Sequence, residues 1–353
     1  MKPLRIGFLS TAQIGRMNWK AIRHSGNAVV AAVASRDVDR SRKFIEANQA
    51  AVPFETAPRA LGSYEALLAD RDIDAVYIPL PTGLRKEWVL RAAEAGKHVV
   101  CEKPCAVTSK DLEEMIAACR KHRVQFIDGV MFMHNPRLPV LRSALDDPAA
   151  VGQLRRITSM FTFQAYEHFV RDNIRAHGVL EPAGCLGDLG WYCIRMTLWA
   201  LRWKLPKQVS GRIVSDSGPR PGVPAVPMDF SGELFFDDGV SASFFSSFLV
   251  QTQQWIQFSG TKGCLRVPDF VHPFNHLEPA FEVNREERRV NADPTGAGNV
   301  DAVAQQTWLF RNFAGIVASG IQDDFWPDIA LKTQRVMDAC LDSARAGGVL
   351  KPV

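Results

Sequence analysis

No stretch of the chain approaches the roughly 18 consecutive apolar residues that a membrane-spanning helix needs, and the opening MKPLRIGFLS lacks the long apolar core of an export signal. A soluble, untargeted protein with no membrane partner is expected. Paired cysteines are missing too. The seven, at Cys101, Cys105, Cys119, Cys185, Cys193, Cys264 and Cys340, form no Cys-x-x-Cys pair, and their odd number leaves one over in any disulfide scheme. That usage fits a reducing cytoplasm, and no metal is expected. Charge of one sign is also lacking: 42 Lys and Arg against 38 Asp and Glu leave +4, spread along the chain. This argues against nucleic acid as the main partner and leaves anionic small molecules open. What is present is ordinary globular material, 46% hydrophobic and 23% charged over 353 residues. Nothing suggests disorder, and the length favours two domains.

Glycine is scarce at one place where it would be informative. The stretch GFLSTAQIG, Gly7 to Gly15, follows the apolar Leu4–Arg5–Ile6 and precedes a helix-like segment. In a G-x-G-x-x-G fingerprint the three small positions would be Ser10, Ala12 and Gly15, so only the last is glycine. Such a loop must turn tightly, bring its backbone to a pyrophosphate and deliver that anion to a helix N-terminus. Ser10, Thr11 and Ala12 are small or carry hydroxyls, which serves part of that purpose. An ordinary strand-to-helix turn explains the same residues, so the context must decide.

Residues 1–130 alternate apolar β-branched runs (LRIGFL, VVAAVAS, AVYIPL, HVVCEK, VQFIDGV) with amphipathic pieces such as DRSRKFIEANQ and KEWVLRAAEAGK. That beat predicts βαβ units and a doubly wound parallel sheet. Gly26 and Gly96 punctuate helix ends, and Thr108 with Asp111 reads as a capping box. After HNPRLP the rhythm breaks, and residues 131–353 read as strands in succession. GELFF-DDG-VSASFF and QWIQFSG-TKG-CLRV are predicted hairpins. Two closing helices are expected on one face of this antiparallel sheet. Its other face, rich in Phe, suits packing against a second subunit or a large internal core.

Four stretches carry candidate chemistry. ASRD ends the second strand with Ser35 and Arg36 where a dinucleotide enzyme using NAD usually places a carboxylate, and a hydroxyl with a guanidinium suits a 2′-phosphate better. Arg36 also reads as a solvated charge. VVCEKPCAV places Glu102 and Lys103 at the sheet's carboxyl edge, the lysine held by the following Pro104; alone it reads equally as surface. In CLGDLGWYC, Asp188 and Tyr192 are four apart and share a helical face, either as a proton-transfer pair or as a dipole-favoured acid beside a core tyrosine. Pro79–Leu80–Pro81–Thr82 ends another strand and lines the same edge.

The order of GFLSTAQIG, ASRD, YIPLP, AGKHVVCEKP, DGVMFMHNPR and GDLGWYCIR resembles the Gfo/Idh/MocA family across nearly the whole chain, and within it the branch of the dihydrodiol and NADP-dependent xylose dehydrogenases. AGKHVVCEKP is the most specific of these motifs. The resemblance implies an α/β protein: an N-terminal Rossmann domain over 1–130 and a C-terminal α+β domain over 131–353, with a large, mostly antiparallel open sheet that makes a homodimer or homotetramer. It makes the glycine-poor turn a dinucleotide loop. Ser10, Thr11, Ala12, Ile14, Ser35, Arg36, Pro79, Leu80, Thr82, Glu102 and Lys103 are then the cofactor-binding residues, for NADP with NAD as an alternative. It assigns the reacting hydroxyl to Lys103 and Tyr192, with Tyr192 exchanging the proton, Lys103 lowering the phenol's pKa and Asp188 orienting a small polyhydroxylated substrate. Tyr166, Asn173 and Arg175 are pocket candidates, with an exposed loop as the alternative. The chain departs from the family where many members carry Asn-x-x-His: here the residues are Thr82 and Arg85. The expected activity is an oxidoreductase acting on CH–OH groups of a sugar, cyclic polyol or diol. A non-catalytic redox sensor on the same fold, or a reductase of a non-sugar carbonyl, stays open; a pure sensor would not need Lys103, Asp188 and Tyr192 together.

Overall fold

The computed structural model describes residues 2–353. The chain forms two compact units, the first comprising 1–105, 110–135 and 292–328, the second 106–109, 136–291 and 329–353. Among the described residues no helix is long and apolar enough to cross a membrane.

In the first unit β1 (Leu4–Leu9), α1 (Ile14–Ser25), β2 (Ala28–Ala34), α2 (Val38–Ala51), β3 (Arg59–Leu61), α3 (Tyr64–Ala69), β4 (Ala75–Ile78), α4 (Thr82–Glu94), β5 (His98–Cys101), α5 (Ser109–Lys121) and β6 (Phe126–Asp128) alternate. The strands run in the order β3-β2-β1-β4-β5-β6, and every pair is parallel. β4 is buried at every position, as a strand covered on both faces must be. The order reverses between β1 and β4, the switch point where ligands of such sheets bind beyond the strands' carboxyl ends. Gly26 closes α1 at a φ of 81°, a conformation that glycine adopts without strain.

The second unit is built on α6 (Arg137–Asp146), β7 (Leu154–Thr162), α7 (Phe169–Asp172), α8 (Trp191–Ala200), β8 (Gln208–Asp216), β9 (Pro227–Phe235), β10 (Ser241–Ser247), β11 (Gln253–Gly260), β12 (Cys264–Val267), β13 (Ala280–Val283) and β14 (Glu286–Arg289). The chain ends with α9 (Ala304–Ser319), α10 (Phe325–Arg345) and β15 (Lys351–Pro352). Nine strands form one open sheet, β14-β13-β12-β11-β7-β10-β9-β8-β15. Both expected hairpins are present, β9–β10 and β11–β12. The pairing is antiparallel throughout except between β7 and β10, which run parallel. One face of the sheet is covered so closely by α10 that a Cβ on Gly211 would lie 2.1 Å from the Cys340 carbonyl oxygen.

One closing helix is not where the sequence predicts it. α9 packs in the first unit against α1, where Arg311 Nε donates to the Ser25 carbonyl (2.9 Å) and Asn27 donates to the Arg311 carbonyl (2.9 Å). Phe310 on the same helix meets the ring of Tyr77 with centroids 6.0 Å apart. Periodicity shows that a helix buries one face; it carries no information about which sheet receives it.

A buried ion pair organises the second unit. Arg137, at the start of α6, donates to Asp269 Oδ1 at 2.6 Å, and the two side chains are 3% and 4% exposed. The same guanidinium donates to the carbonyls of Asp269, Phe270 and Ala280, while Asp269 Oδ2 accepts from Phe274 N–H (2.8 Å). Removing one partner of such a pair leaves a buried charge without its counter-ion. Asp269→Ala is therefore expected to lower stability by about 3–5 kcal/mol in urea unfolding. A loss below about 1 kcal/mol, the size of a single neutral hydrogen bond, would mean that the three carbonyls alone satisfy Arg137.

Candidate functional site

At the carboxyl end of β1 the backbone makes the turn that the fingerprint assigns to glycine. Ser10 has a φ of 140°, and its Oγ accepts from Ala12 N–H at 3.2 Å. The serine thus takes a glycine-like backbone and steadies it with its own hydroxyl. A Cβ on Gly15 would lie 3.2 Å from Phe44 Cζ, so the last small position allows close packing of α1 on its neighbours. α1 begins with no side-chain cap and no acid in its first turn. α4, which starts at Thr82, is likewise uncapped by a side chain, whereas α2 and α3 are capped by Asp37 and Ser63. Gly15 and Arg16 N–H donate to the Ala12 and Gln13 carbonyls (2.9 and 3.0 Å), and the positive end of α1, with no side-chain cap and no acid, fits an anionic phosphate.

After β2 the structure puts the residues to different uses. Ser35 is 4% exposed; its Oγ donates to the Asp37 carbonyl (2.5 Å) and accepts from Ser41 Oγ (3.0 Å). That hydroxyl shapes the turn and faces inward. Asp37 accepts from Asp39 N–H (2.9 Å) as the cap of α2. Arg36 is exposed, and so is Arg40 one helical turn on, which the sequence reading missed. Burial raises the Tyr64 phenol's pKa while the charges of Arg36 and Arg40 oppose the rise, so both arginines lie within electrostatic reach of its ring. The signal that could have found Arg40 is its place in the first turn of the helix that Arg36 leads into.

At the ends of β4 and β5, Tyr77 and Glu102 form a second polar group. The Tyr77 hydroxyl donates to Glu102 Oε1 at 2.6 Å, and Glu102 Oε2 lies 3.4 Å from Lys103 N–H. Burial, then the Glu102 charge, pushes the Tyr77 phenol well above its ordinary pKa, and a bond from Asn18 acts the other way. Tyr77 therefore stays protonated as the donor. Glu102 is thus turned toward the sheet, holding the backbone at Lys103. Pro79, Leu80 and Pro81 lead from β4 into α4, and Thr82 is 3% exposed with its hydroxyl 3.5 Å from the Pro104 carbonyl. Tyr77 escaped the sequence reading because a tyrosine inside a continuous apolar strand looks like core.

In the second unit Asp188, Arg175 and Tyr192 come together. Leu186–Gly190 is a π-helical turn: Trp191 N–H reaches back to the Leu186 carbonyl before α8 continues. The regular helix expected over Asp188 and Tyr192 is thus interrupted, as π-turns at functional sites often do. Packing is tight there, since a Cβ on Gly190 would meet Leu186 Cδ1 at 2.9 Å and Phe244 Cε2 at 3.3 Å. Arg175 Nε donates to Asp188 Oδ2 at 2.8 Å. The Asp188 charge is the largest cause raising the Arg175 pKa, with Glu181 and Tyr192 acting in the same direction. Tyr192 is 6% exposed, its ring 5.6 Å from that of Phe161. Asn173 accepts from Arg175 N–H (3.0 Å) and caps the short turn bearing it, whereas Tyr166 is exposed and packs edge-on against Phe169.

Comparison with known proteins places both parts of the chain in one family. Residues 4–130 match the family described as "Oxidoreductase family, NAD-binding Rossmann fold", and residues 141–266 match the GFO/IDH/MocA C-terminal domain. The chain is 30% identical, over 99% of both chains, to D-xylose 1-dehydrogenase (NADP(+)) 2 of Haloferax volcanii. It is 31% identical to a dTDP-3,4-didehydro-2,6-dideoxy-alpha-D-glucose 3-reductase of Streptomyces violaceoruber, over 86% of this chain and 85% of that one. Among solved structures, the 3-ketoreductase KijD10 of Actinomadura kijaniata with NADP and TDP-benzene superposes with a TM-score of 0.82 at 26% identity, covering 97% of this chain and 98% of that one.

The inward Ser35 hydroxyl gives a separable expectation. Ser35→Ala should lower stability by about 1 kcal/mol through its lost internal bonds, while titration with NADP should change by less than about twofold, well under the loss expected for a charge-assisted contact. A large affinity loss without a stability loss would show the hydroxyl turned toward the ligand.

Proposed function

The chain belongs to the GFO/IDH/MocA family of oxidoreductases, and on that premise we propose that it moves a hydride, with NADP(H), to or from a hydroxyl-bearing carbon of a sugar, cyclic polyol or related diol. The observation that carries this reading is the Arg175–Asp188 pair with Tyr192 in its field, in the unit that bears the Asp-x-Gly-x-Tyr stretch Asp188–Tyr192. When bound, the nicotinamide supplies or accepts the hydride. Tyr192 exchanges the proton of the reacting hydroxyl. A phenol ordinarily titrates near pH 10, so it needs positive neighbours to act as a base at neutral pH. Arg175 provides one such charge, and Lys103 is assigned the other. Asp188 fixes the guanidinium and orients the substrate.

For the cofactor, Arg36 and Arg40 take the 2′-phosphate, and Asp37, occupied at the start of α2, does not oppose it. The outer face of the nine-stranded sheet carries the half-buried row Trp255–Met160–Phe245 across β11, β7 and β10, and this row is assigned to a homo-oligomeric contact. All seven cysteines are free thiols, six of them buried, which suits a reducing cytoplasm.

The activity is tested with a panel of aldoses, inositols and cyclic diols, each with NADP and NAD, followed at the reduced-nicotinamide absorbance. Turnover of at least one polyol with NADP preferred is expected; dinucleotide binding without turnover of any would favour a sensor. Arg36→Ala should weaken NADP about ten- to a hundred-fold, as loss of a charge-assisted bond worth about 1.5–3 kcal/mol does, and leave NAD nearly unchanged. Equal losses for both dinucleotides would show Arg36 to be a surface charge. Tyr192→Phe keeps the ring against Phe161 and should slow the chemical step by about two to four powers of ten with little change in stability; unchanged rates would assign the proton to another group.

A further inference from the structure

Arg85 is the family departure that the activity leaves unexplained. It is 5% exposed, in the first turn of α4, and it pairs with backbone carbonyls: Nε donates to the Leu80 carbonyl at 2.7 Å and Nη1 donates to the Pro104 carbonyl. Leu80 lies in the segment leaving β4 and Pro104 in the segment leaving β5. These strands pair in parallel register, Tyr77 opposite Val100 and Ile78 opposite Cys101, so their exits run side by side. One side chain therefore spans both exits from within the first unit. The planar guanidinium fork suits this task, because Nε and Nη1 point in fixed, diverging directions. A charged donor also strengthens each bond to a neutral carbonyl. Lysine carries its three donors on one nitrogen and cannot reproduce the fork, and a side chain without a donor leaves a buried carbonyl open.

We propose that Arg85 is a positioning residue: it clamps the Pro79–Thr82 segment to the Pro104 carbonyl, one residue beyond Lys103, and so fixes the origin of the Lys103 side chain. The proposal rests on the reading that Lys103 assists the reaction. Misplacing an assisting group by about 1 Å costs on the order of a hundred-fold in rate, so the clamp acts on kcat and not on substrate capture.

The test compares Arg85→Lys, which keeps the charge and loses the fork, and Arg85→Gln, which keeps one donor and loses the charge, with Lys103→Ala and the two double variants. Each single Arg85 variant is expected to lower kcat about ten- to a hundred-fold with the KM of the alcohol substrate within about threefold, less than the loss of a single hydrogen bond to substrate would give. In the Lys103→Ala background the same substitutions should add less than about threefold, because the group they position is gone. Arg85→Ala, assayed with added methylguanidinium, should regain part of the lost turnover. Full turnover in Lys103→Ala would overturn the assignment of Lys103 itself. A large loss in Lys103→Ala alongside Arg85 effects that multiply fully with it, or Arg85 variants that fold and keep kcat within threefold, would overturn the clamp alone. Should Arg85→Lys fail to fold, the Arg85→Gln cycle and the rescue decide the same question.

Discussion

Parallel pairing of β4 with β5, from Ala75 opposite His98 to Ile78 opposite Cys101, sends two chain segments out of the sheet side by side at one edge. Parallel strands cannot turn back on themselves, so each exit must lead away through a helix, and polar backbone accumulates where the sheet stops. Those carbonyls need donors, since burying a polar group without a partner costs more than any hydrogen bond returns. The first unit answers with Arg85 from α4, which donates to the Leu80 and Pro104 carbonyls, and with Glu102 at the exit of β5, whose carboxylate accepts from the Tyr77 hydroxyl and from Lys103 N–H. The candidate lysine is positioned because the edge around it is satisfied, and the low dielectric that makes the edge demanding also makes its bonds strong.

The same economy of donors distinguishes the helix starts. α2 and α3 close their first turns with Asp37 and Ser63, and neither needs anything from outside. α1 and α4 start without a side-chain cap. An uncapped start keeps the positive end of its helix dipole available to an anion. α1 follows β1 at the switch point, which is where a dinucleotide's pyrophosphate belongs in such a sheet. Charge follows the same division: Asp37 is spent on its own helix, and Arg36 and Arg40 stay in solvent.

The alternation of strands and helices, the hairpin turns at Asp238–Gly239 and Lys262–Gly263, and the change of rhythm after Asn135 were legible in the sequence because each depends on a local pattern of apolar spacing or turn chemistry. The family motifs drew attention to Lys103, Asp188 and Tyr192 for a similar reason: they lie on short segments whose neighbours are diagnostic. What escaped depends on contacts between distant segments. The placement of α9 beside α1 joins residues nearly 300 apart. The inward Ser35 hydroxyl depends on Ser41, and the Arg175–Asp188 pair on how the 173–176 turn folds back over the π-turn. Within the π-turn the tight fit at Gly190 involves Phe244, which belongs to a strand more than fifty residues away.

Two departures of this chain from the family pattern, at positions 10 and 85, carry their own compensation. Serine replaces glycine at position 10, and the strain of a φ of 140° is met by the bond from Ala12 N–H to the serine's own Oγ. Alanine at that position would meet the strain without the bond, so the substitution is tolerable for serine specifically. Arginine replaces the common histidine at position 85, and its guanidinium supplies two bonds to carbonyls, Leu80 and Pro104. An imidazole has only two ring nitrogens, and one of them is an acceptor when the ring is neutral, so it could not make the same pair of donations without carrying charge. In each case a backbone requirement is met by the atoms of the side chain present. A motif search sees only the changed letter, whereas the physical requirement at each position is a backbone conformation or a pair of satisfied carbonyls, and more than one side chain meets it.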